Sequence, residues 1–338
     1  MWKLFDFEVK LMATNEKRDQ YFDNARFMLI LLVVVGHMIS PYRHDQEILN
    51  AAYKFIYTFH MPAFILISGF FAKGIFKPGY LTKLTKKLLL PYFIFQIIFS
   101  IFFSVTNNEI QFSIFDPHWT LWFLLSLIGW NLLLFVFSKI PYSFTIAVAI
   151  GVLIGLVPVI GTYLSLSRTF VFFPLFLLGY KLDKTHFQLL TKKKYKVSGA
   201  AFLVLLFSGY YFLLNDMTRD WLLASSSYAE LGVDESYGVM IRLILYGVVF
   251  WATFSVLALI PRRQFVFTKI GERTLYVYLL HGLTIKSLEM TPFYQTIVDS
   301  GYYFLLVGLA LMLTFVLASR PVIRIAKPLI EPQKVIAK

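Results

Sequence analysis

Ten long apolar blocks constrain this chain more than any other feature of its sequence. They lie near 26–42, 50–72, 88–105, 119–138, 143–162, 168–181, 197–215, 239–260, 273–290 and 302–319. Allowing for tilt or a proline break, each could cross a hydrocarbon core ~30 Å thick, the short sixth block least easily. Inside a bilayer the backbone must satisfy its own hydrogen bonds, so such blocks fold as helices. Composition agrees. Of 338 residues, 58% are hydrophobic and 15% charged, against ~45–50% and ~25% in a soluble domain. The expected class is all-α: a polytopic integral membrane protein of about ten transmembrane helices set in a lipid bilayer. The absence of cysteine removes disulfide frameworks, cysteine nucleophiles and Cys-ligated metal sites together.

A net charge of +13 would suggest nucleic acid in a soluble protein. Here it reads as topology. Taken over alternating connections, the 32 Lys and Arg divide 26 to 6. The six on the poorer side are Arg43, Lys54, Arg168, Arg219, Arg242 and Lys286. The positive-inside rule then puts both termini in the cytoplasm, in a multi-pass cell (plasma) membrane protein. No nucleic-acid partner is needed to explain the charge. Residues 1–26 mix five basic and five acidic side chains, so the first block is expected to be a retained helix rather than a cleaved signal. The expected organisation is an amphipathic cytoplasmic arm over 1–25, a ten-helix transmembrane domain over 26–320, and a cytoplasmic tail over 321–338.

Ionisable residues at membrane depth are costly and mark functional candidates. His44 and His186 fall in loops, and His118 at the outer start of the fourth block. His37, His60 and His281 fall within blocks. Arg26 and His37 are eleven residues apart. At 100° per residue they share one helix face, separated by about 16 Å along the axis. A cation at the mouth with an imidazole inside suits a ligand with an anionic head and a reactive tail, such as an acyl-coenzyme A. Gly36 beside His37 permits a close approach. Pro62, after His60, frees a backbone carbonyl that must be buried or line a cavity. Lys83, Lys86 and Lys87 precede the third block, either as topological charge or as a phosphate clamp beside Arg26. Trp119 reads as an interfacial belt residue, whereas Trp122 and Phe123 lie deeper. Thr274, Tyr278 and His281 share a polar helix face that should look into the bundle, with Tyr276 pointing elsewhere.

These residues resemble the bacterial family-3 membrane acyltransferases, and within them the fucose 4-O-acetylase-like branch. Tyr21-Phe22-Asp23-Asn24-Ala25-Arg26 followed by Gly36-His37 is similar to the family's opening, with its Arg-x10-His spacing. Phe59-His60-Met61-Pro62 with Ser68-Gly69, Lys83-x-x-Lys86-Lys87 before Pro91-Tyr92, Trp122-Phe123-Leu124 and Tyr276-x-Tyr278-Leu279-x-His281 resemble its later motifs, in order along essentially the whole chain. Many members carry Arg-x-Arg before the third span. This chain has lysines there, which are point charges rather than bidentate forks. The extracellular hydrolase-like domain that some members append is not expected here.

The resemblance implies a transferase that moves an acyl group, usually acetyl, from cytoplasmic acyl-coenzyme A to a hydroxyl of a cell-envelope glycan. No metal is expected. His37 would act as general base, the role a neutral imidazole fills best near pH 7, with a transient acyl acceptor as the alternative. Arg26 is expected beside it in the catalytic machinery and, with Lys83, Lys86 and Lys87, against the coenzyme A phosphates. His60, Trp122, Tyr278 and His281 would shape the acceptor site. The chain would act alone or hand its acyl group to a separate envelope-biosynthesis partner protein. The rival reading is an exporter of a glycan or lipid-linked sugar. The missing internal repeat and the Arg-x10-His pairing speak against it.

Overall fold

The computed structural model describes residues 19–107, 112–158 and 160–332. Residues 1–18 of the expected arm lie outside the described residues. Each of the ten apolar blocks falls on a helix: α1 Gln20–Ile39, α2 Glu47–Phe70, α3 Tyr80–Asn107, α4 Trp122–Phe137, α5 Ser143–Leu153, α6 Leu166–Lys181, α7 Lys193–Phe212, α8 Glu235–Leu259, α9 Thr274–Glu289 and α10 Phe304–Leu317. Shorter helices connect them, and no strand occurs among the described residues.

Six helical stretches are long and apolar enough to cross a membrane: Gln20–Tyr42, Glu47–Gly74, Tyr80–Asn107, Tyr163–Lys181, Lys193–Phe212 and Glu235–Leu259. A seventh results if Phe304–Leu317 and Arg320–Ile330, bent by 69°, count as one span. The other blocks give shorter helices, with 16 residues in α4, 11 in α5 and 16 in α9. At 1.5 Å per residue these reach only ~17–24 Å. The reason is local. Residues 119–121 of the fourth block form a turn, the fifth passes into the 3-10 helix Ile154–Leu156, and the 3-10 helix Val266–Arg273 runs up to α9.

Large apolar side chains face outward along the helices, among them Ile97, Ile101, Val204, Leu205 and Ile244. Apolar residues outside and polar ones within is the pattern a hydrocarbon solvent selects. Helix contacts depend on small residues. A Cβ on Gly69 would lie 2.0 Å from the Phe176 carbonyl oxygen, and one on Gly179 2.0 Å from that of Leu66, so α2 and α6 touch backbone to backbone. On the same side of the fold, Lys73 donates to Asp183 at 2.7 Å. That ammonium holds the exposed Asp183 carboxyl below its usual range.

The first turns of α1 are clamped from several directions. Asp19 caps the helix, accepting from the Tyr21 amide at 3.0 Å. The Tyr21 hydroxyl donates to the Leu257 carbonyl at 2.8 Å. The Asn24 amide donates to the carbonyls of Pro261 and Arg263, each at 2.9 Å, and accepts from the Thr268 hydroxyl at 2.6 Å. A Cβ on Gly271 would sit 1.9 Å from the Asp23 carbonyl oxygen. The Tyr21–Arg26 motif is thus a docking turn that fixes where Arg26 stands.

The segment before α4 folds back along α3. Tyr92, Gln96 and Ser100 form one buried polar stripe on α3, at i, i+4 and i+8. Tyr92 donates to the Ile114 carbonyl at 2.6 Å, and Gln96 to those of Ser113 at 2.5 Å and Asp116 at 2.9 Å. The Gln96 side-chain carbonyl accepts from the His118 amide at 3.0 Å, and Ser100 meets the His118 ring at 2.9 Å. Gln96 lies about 16 Å below the Asn107 end of α3. Residues 113–118 therefore form a re-entrant segment packed along α3, whose irregular backbone bonds α3 side chains while Ile114, Phe115 and Asp116 stay exposed.

Candidate active site

Two cavities meet inside the bundle. The first, about 360 Å³, is a mouth lined by Arg26 and Ile30 of α1, Phe64 and Ser68 of α2, Tyr80, Leu84 and Lys87 of α3, Phe123 and Asn131 of α4, and Thr274 of α9. The second, about 160 Å³, is an inner chamber lined by His37, Tyr57, His60, Trp119, Trp122, Arg168 and His281. Val33, Met61 and Tyr278 line both and form the waist between them. The expected helix faces are present. Along α1, Arg26 lines the mouth, Val33 the waist and His37 the chamber. Along α9, Thr274, Tyr278 and His281 do the same. Tyr276 turns away, its hydroxyl 3.1 Å from Glu331.

The mouth is apolar on its walls and cationic at its rim. Arg26 pairs with Asp23 at 3.0 Å and lies over the Phe71 ring at 4.7 Å, which holds its guanidinium at the cavity edge. Of the three lysines, only Lys87 lines the cavity. Lys83 and Lys86 are exposed on the same helix and outside the lining.

The chamber gathers all three membrane-depth histidines in different states. The Nδ1 atoms of His60 and His281 face carbonyl oxygens, which only accept: Ile56 at 2.7 Å for His60, and Tyr278 at 2.6 Å and Val277 at 3.1 Å for His281. Each Nδ1 therefore carries the proton, and each Nε2 is an acceptor. The Nε2 of His281 is buried without a hydrogen-bond partner among the described residues. His37 is not tied to its own helix. Its Nδ1 faces the Tyr57 hydroxyl at 3.3 Å, a group that can give or take a hydrogen bond. The His37 ring stands 4.5 Å from that of Trp119 and 5.3 Å from that of His281, centroid to centroid. Gly36 makes room for Tyr57: a Cβ there would lie 3.0 Å from the Tyr57 ring. The close approach expected at Gly36 is thus made by a side chain.

Tyr57 stacks on Tyr53 at 3.9 Å and contacts the His60 ring at 4.7 Å, so one aromatic column carries both histidines. Tyr278 donates to the Thr120 carbonyl, pinning α9 to the turn that follows the re-entrant segment. Trp119, read from the sequence as a belt residue, turns its ring into the chamber. The fold-back along α3 delivers its ring to His37, with a backbone φ of +36° that non-glycine residues rarely adopt. Trp122 carries the Arg168 guanidinium over its face at 5.2 Å. Carboxylates near the ends of the site helices are engaged away from His37: Asp23 with Arg26, Glu289 with Lys286 at 2.7 Å, and Asp116 with Ser113 at 3.2 Å. Beside Pro62 lies a small cavity of about 20 Å³, enough for one water near the freed carbonyl.

Sequence reasoning missed Tyr57, Gln96 and Arg168. The Tyr92-Gln96-Ser100 stripe was legible as a polar face within an apolar helix. Arg168 was legible only as a charge on the poorer side of the topological count. Tyr57 carried no mark among 20 tyrosines.

A family model described as an acyltransferase domain matches residues 19–322, from the Asp19 cap of α1 to just past the end of α10. The chain is 30% identical over 190 residues to nodulation protein NolL of Sinorhizobium fredii (strain NBRC 101917 / NGR234), covering 51% of each protein. It is 40% identical over 65 residues to nodulation protein NolL of Mesorhizobium japonicum (strain LMG 29417 / CECT 9101 / MAFF 303099), covering 18% of this chain and 17% of that one. The chain thus spans about half the length of the first relative and less of the second. No solved structure matches it. The family model covers the described bundle almost end to end, and the chain belongs to acyltransferase family 3.

Proposed function

We propose that this protein is an integral-membrane O-acyltransferase that moves an acyl group, acetyl in the first instance, from cytoplasmic acyl-coenzyme A to a hydroxyl of a cell-envelope glycan. The observation that carries the reading is the pair of polar faces on α1 and α9. Each runs from a cationic mouth past one waist to an imidazole chamber.

Coenzyme A phosphates lie against Arg26 and Lys87, with the exposed Lys83 and Lys86 adding longer-range attraction at the same rim. The acyl-pantetheine arm follows the apolar wall and passes between Val33, Met61 and Tyr278, bringing the thioester to His37. His37 removes the acceptor hydroxyl proton, and the alkoxide attacks the thioester carbon. The tetrahedral intermediate expels the coenzyme A thiolate, which recovers the proton from His37. Tyr57 suits this cycle because its hydroxyl bonds His37 Nδ1 in either protonation state of the ring. Trp122, Tyr278, His60 and His281 shape the acceptor side. The ten helices are read as ten crossings, the short ones tilted or completed by their turns, with both termini in the cytoplasm of a plasma-membrane protein.

Membranes containing the protein are to be incubated with radiolabelled acetyl-coenzyme A, and label counted in the envelope glycan. Transfer above control membranes, lost in His37→Ala while the protein still elutes as a folded species, is the expected result. A donor left unconsumed would favour an exporter. Full activity in folded His37→Ala would remove His37 from its role.

A further inference from the structure

The inner chamber holds a cation that neither the family match nor the sequence motifs explain. Arg168 is the third residue of α6, within a stretch long and apolar enough to span the membrane. A guanidinium at that depth is costly. Its position adds a second cost, because the first turn of a helix carries the positive end of the helix dipole. Other cations of the bundle have evident compensation. Arg26 pairs with Asp23, Lys286 with Glu289, and Arg219 lies 3.7 Å from Asp220. Lys54 caps the carbonyls of Leu214 and Asn215, and Arg242 donates to that of Trp221.

Arg168 has no carboxylate partner among the described residues. Its Nε donates to the Leu223 carbonyl at 3.0 Å, and its guanidinium plane rests on Trp122. Tyr53, Tyr57 and Tyr278 line the chamber with it. With Nε bonded and the plane held by the indole, the two terminal nitrogens form a fixed fork with no hydrogen-bond partner among the described residues. That fork lines the same 160 Å³ chamber as His37. Arg168 and His37 thus face one common space, into which a donor carbonyl would be admitted.

We propose that Arg168 is the electrophilic catalytic residue of the transfer. Its guanidinium donates hydrogen bonds to the thioester carbonyl oxygen and holds the oxyanion formed when the acceptor attacks. This assignment rests on the acyl-transfer reading of the site. As His37 takes the hydroxyl proton, the acceptor oxygen's electron pair makes the new C–O bond. The carbonyl π pair moves onto the oxygen facing Arg168. When that pair returns, the C–S bond breaks, and the thiolate leaves with the proton His37 held. The products are an ester and free coenzyme A. A cation without a resident counter-ion suits such chemistry. A permanent carboxylate would neutralise it, whereas the charge it complements exists only during reaction.

The test compares wild type with Arg168→Gln and Arg168→Lys in acetyl-coenzyme A transfer to total envelope glycan, with folding followed by gel filtration. The expected result is a kcat for Arg168→Gln lower by about 100- to 1000-fold with both KM values within about threefold. Arg168→Lys, which keeps the charge and loses the fork, falls between. A kcat for folded Arg168→Gln within threefold of wild type overturns the proposal. So does a change confined to the KM for glycan, which would make Arg168 an anchor for an anionic acceptor. A readout on the wild-type protein does not depend on either variant folding. The infrared carbonyl band of bound [1-13C]acetyl-coenzyme A, without acceptor, is expected at lower wavenumber than that of the free donor. An unshifted band overturns the proposal. If wild type transfers acetyl and Arg168→Gln does so equally well, this inference fails and the acyltransferase reading stands. If wild type transfers nothing, the reading itself fails.

Discussion

His37, His60 and His281 share one chamber, yet only the first is free of its own helix. Carbonyl oxygens fix the Nδ1 protons of the other two. His37 faces a hydroxyl of another helix instead, a group that can give or take a hydrogen bond. Tyr57→Phe is therefore expected to lower kcat about tenfold while leaving the donor KM unchanged; steady-state kinetics in membranes checks this. Gly36→Ala puts a methyl 3.0 Å from the Tyr57 ring and should reproduce much of the same defect. Equal kcat in wild type and both variants would mean that Tyr57 does not position His37. At the mouth, Arg26→Ala is expected to raise the acyl-donor KM about tenfold, Lys87→Ala less, and Lys83→Ala or Lys86→Ala little, since the last two side chains stand outside the cavity. Sequence alone made Arg26, His37 and the Thr274-Tyr278-His281 face legible, because helical spacing is fixed. It did not reveal Tyr57 or the placement of Trp119. Both depend on which helix packs beside α1 and on a chain reversal that no periodicity records.

Among the elements, the re-entrant segment depends most on a few side chains. Gln96 alone satisfies two carbonyls and one amide of residues 113–118. Gln96→Leu keeps the volume and strands those groups, at roughly 1–3 kcal/mol for each buried polar group left unpaired. We expect a lower melting temperature in detergent together with loss of transfer, because Trp119 loses its support against His37. A variant as stable and active as wild type would show that Gln96 is dispensable. The docking turn makes a parallel case. Gly271→Ala drives a methyl into the Asp23 carbonyl and should displace the start of α1, which thermal melting of the purified protein would register. The apolar blocks anticipated every helix of the bundle but overstated helix length. Hydropathy measures transfer from water and does not distinguish a helix from the turn or 3-10 segment that continues it. Five blocks accordingly yielded helices of only 11 to 16 residues.

For the whole molecule, the division of basic residues predicts that both ends face the cytoplasm. A phosphatase fused to the C-terminus should be inactive and a fluorescent protein fused there bright; the reverse pattern would invert the topology. Lys54, Arg168 and Arg242, from the poorer side of that division, donate to backbone carbonyls of the bundle. Two water-accommodating spaces separated by one thin layer also carry an obligation to the cell. The chamber shares Arg219 with a third, polar cavity of about 560 Å³ lined by Arg43, Asn50, Asn215 and Asp220. Apart from the waist, a line from the cationic mouth to that basin would be a continuous leak for protons and ions. Val33, Met61 and the ring of Tyr278 stand at the waist of that line, apolar groups of the kind that form a hydrophobic constriction in a channel. On the proposed acyl-transfer reading, the waist parts for an acyl arm and reseals behind it. Met61→Ser should make reconstituted vesicles dissipate an imposed pH gradient faster than wild type, and coenzyme A seated in the mouth should slow that loss by acting as a plug.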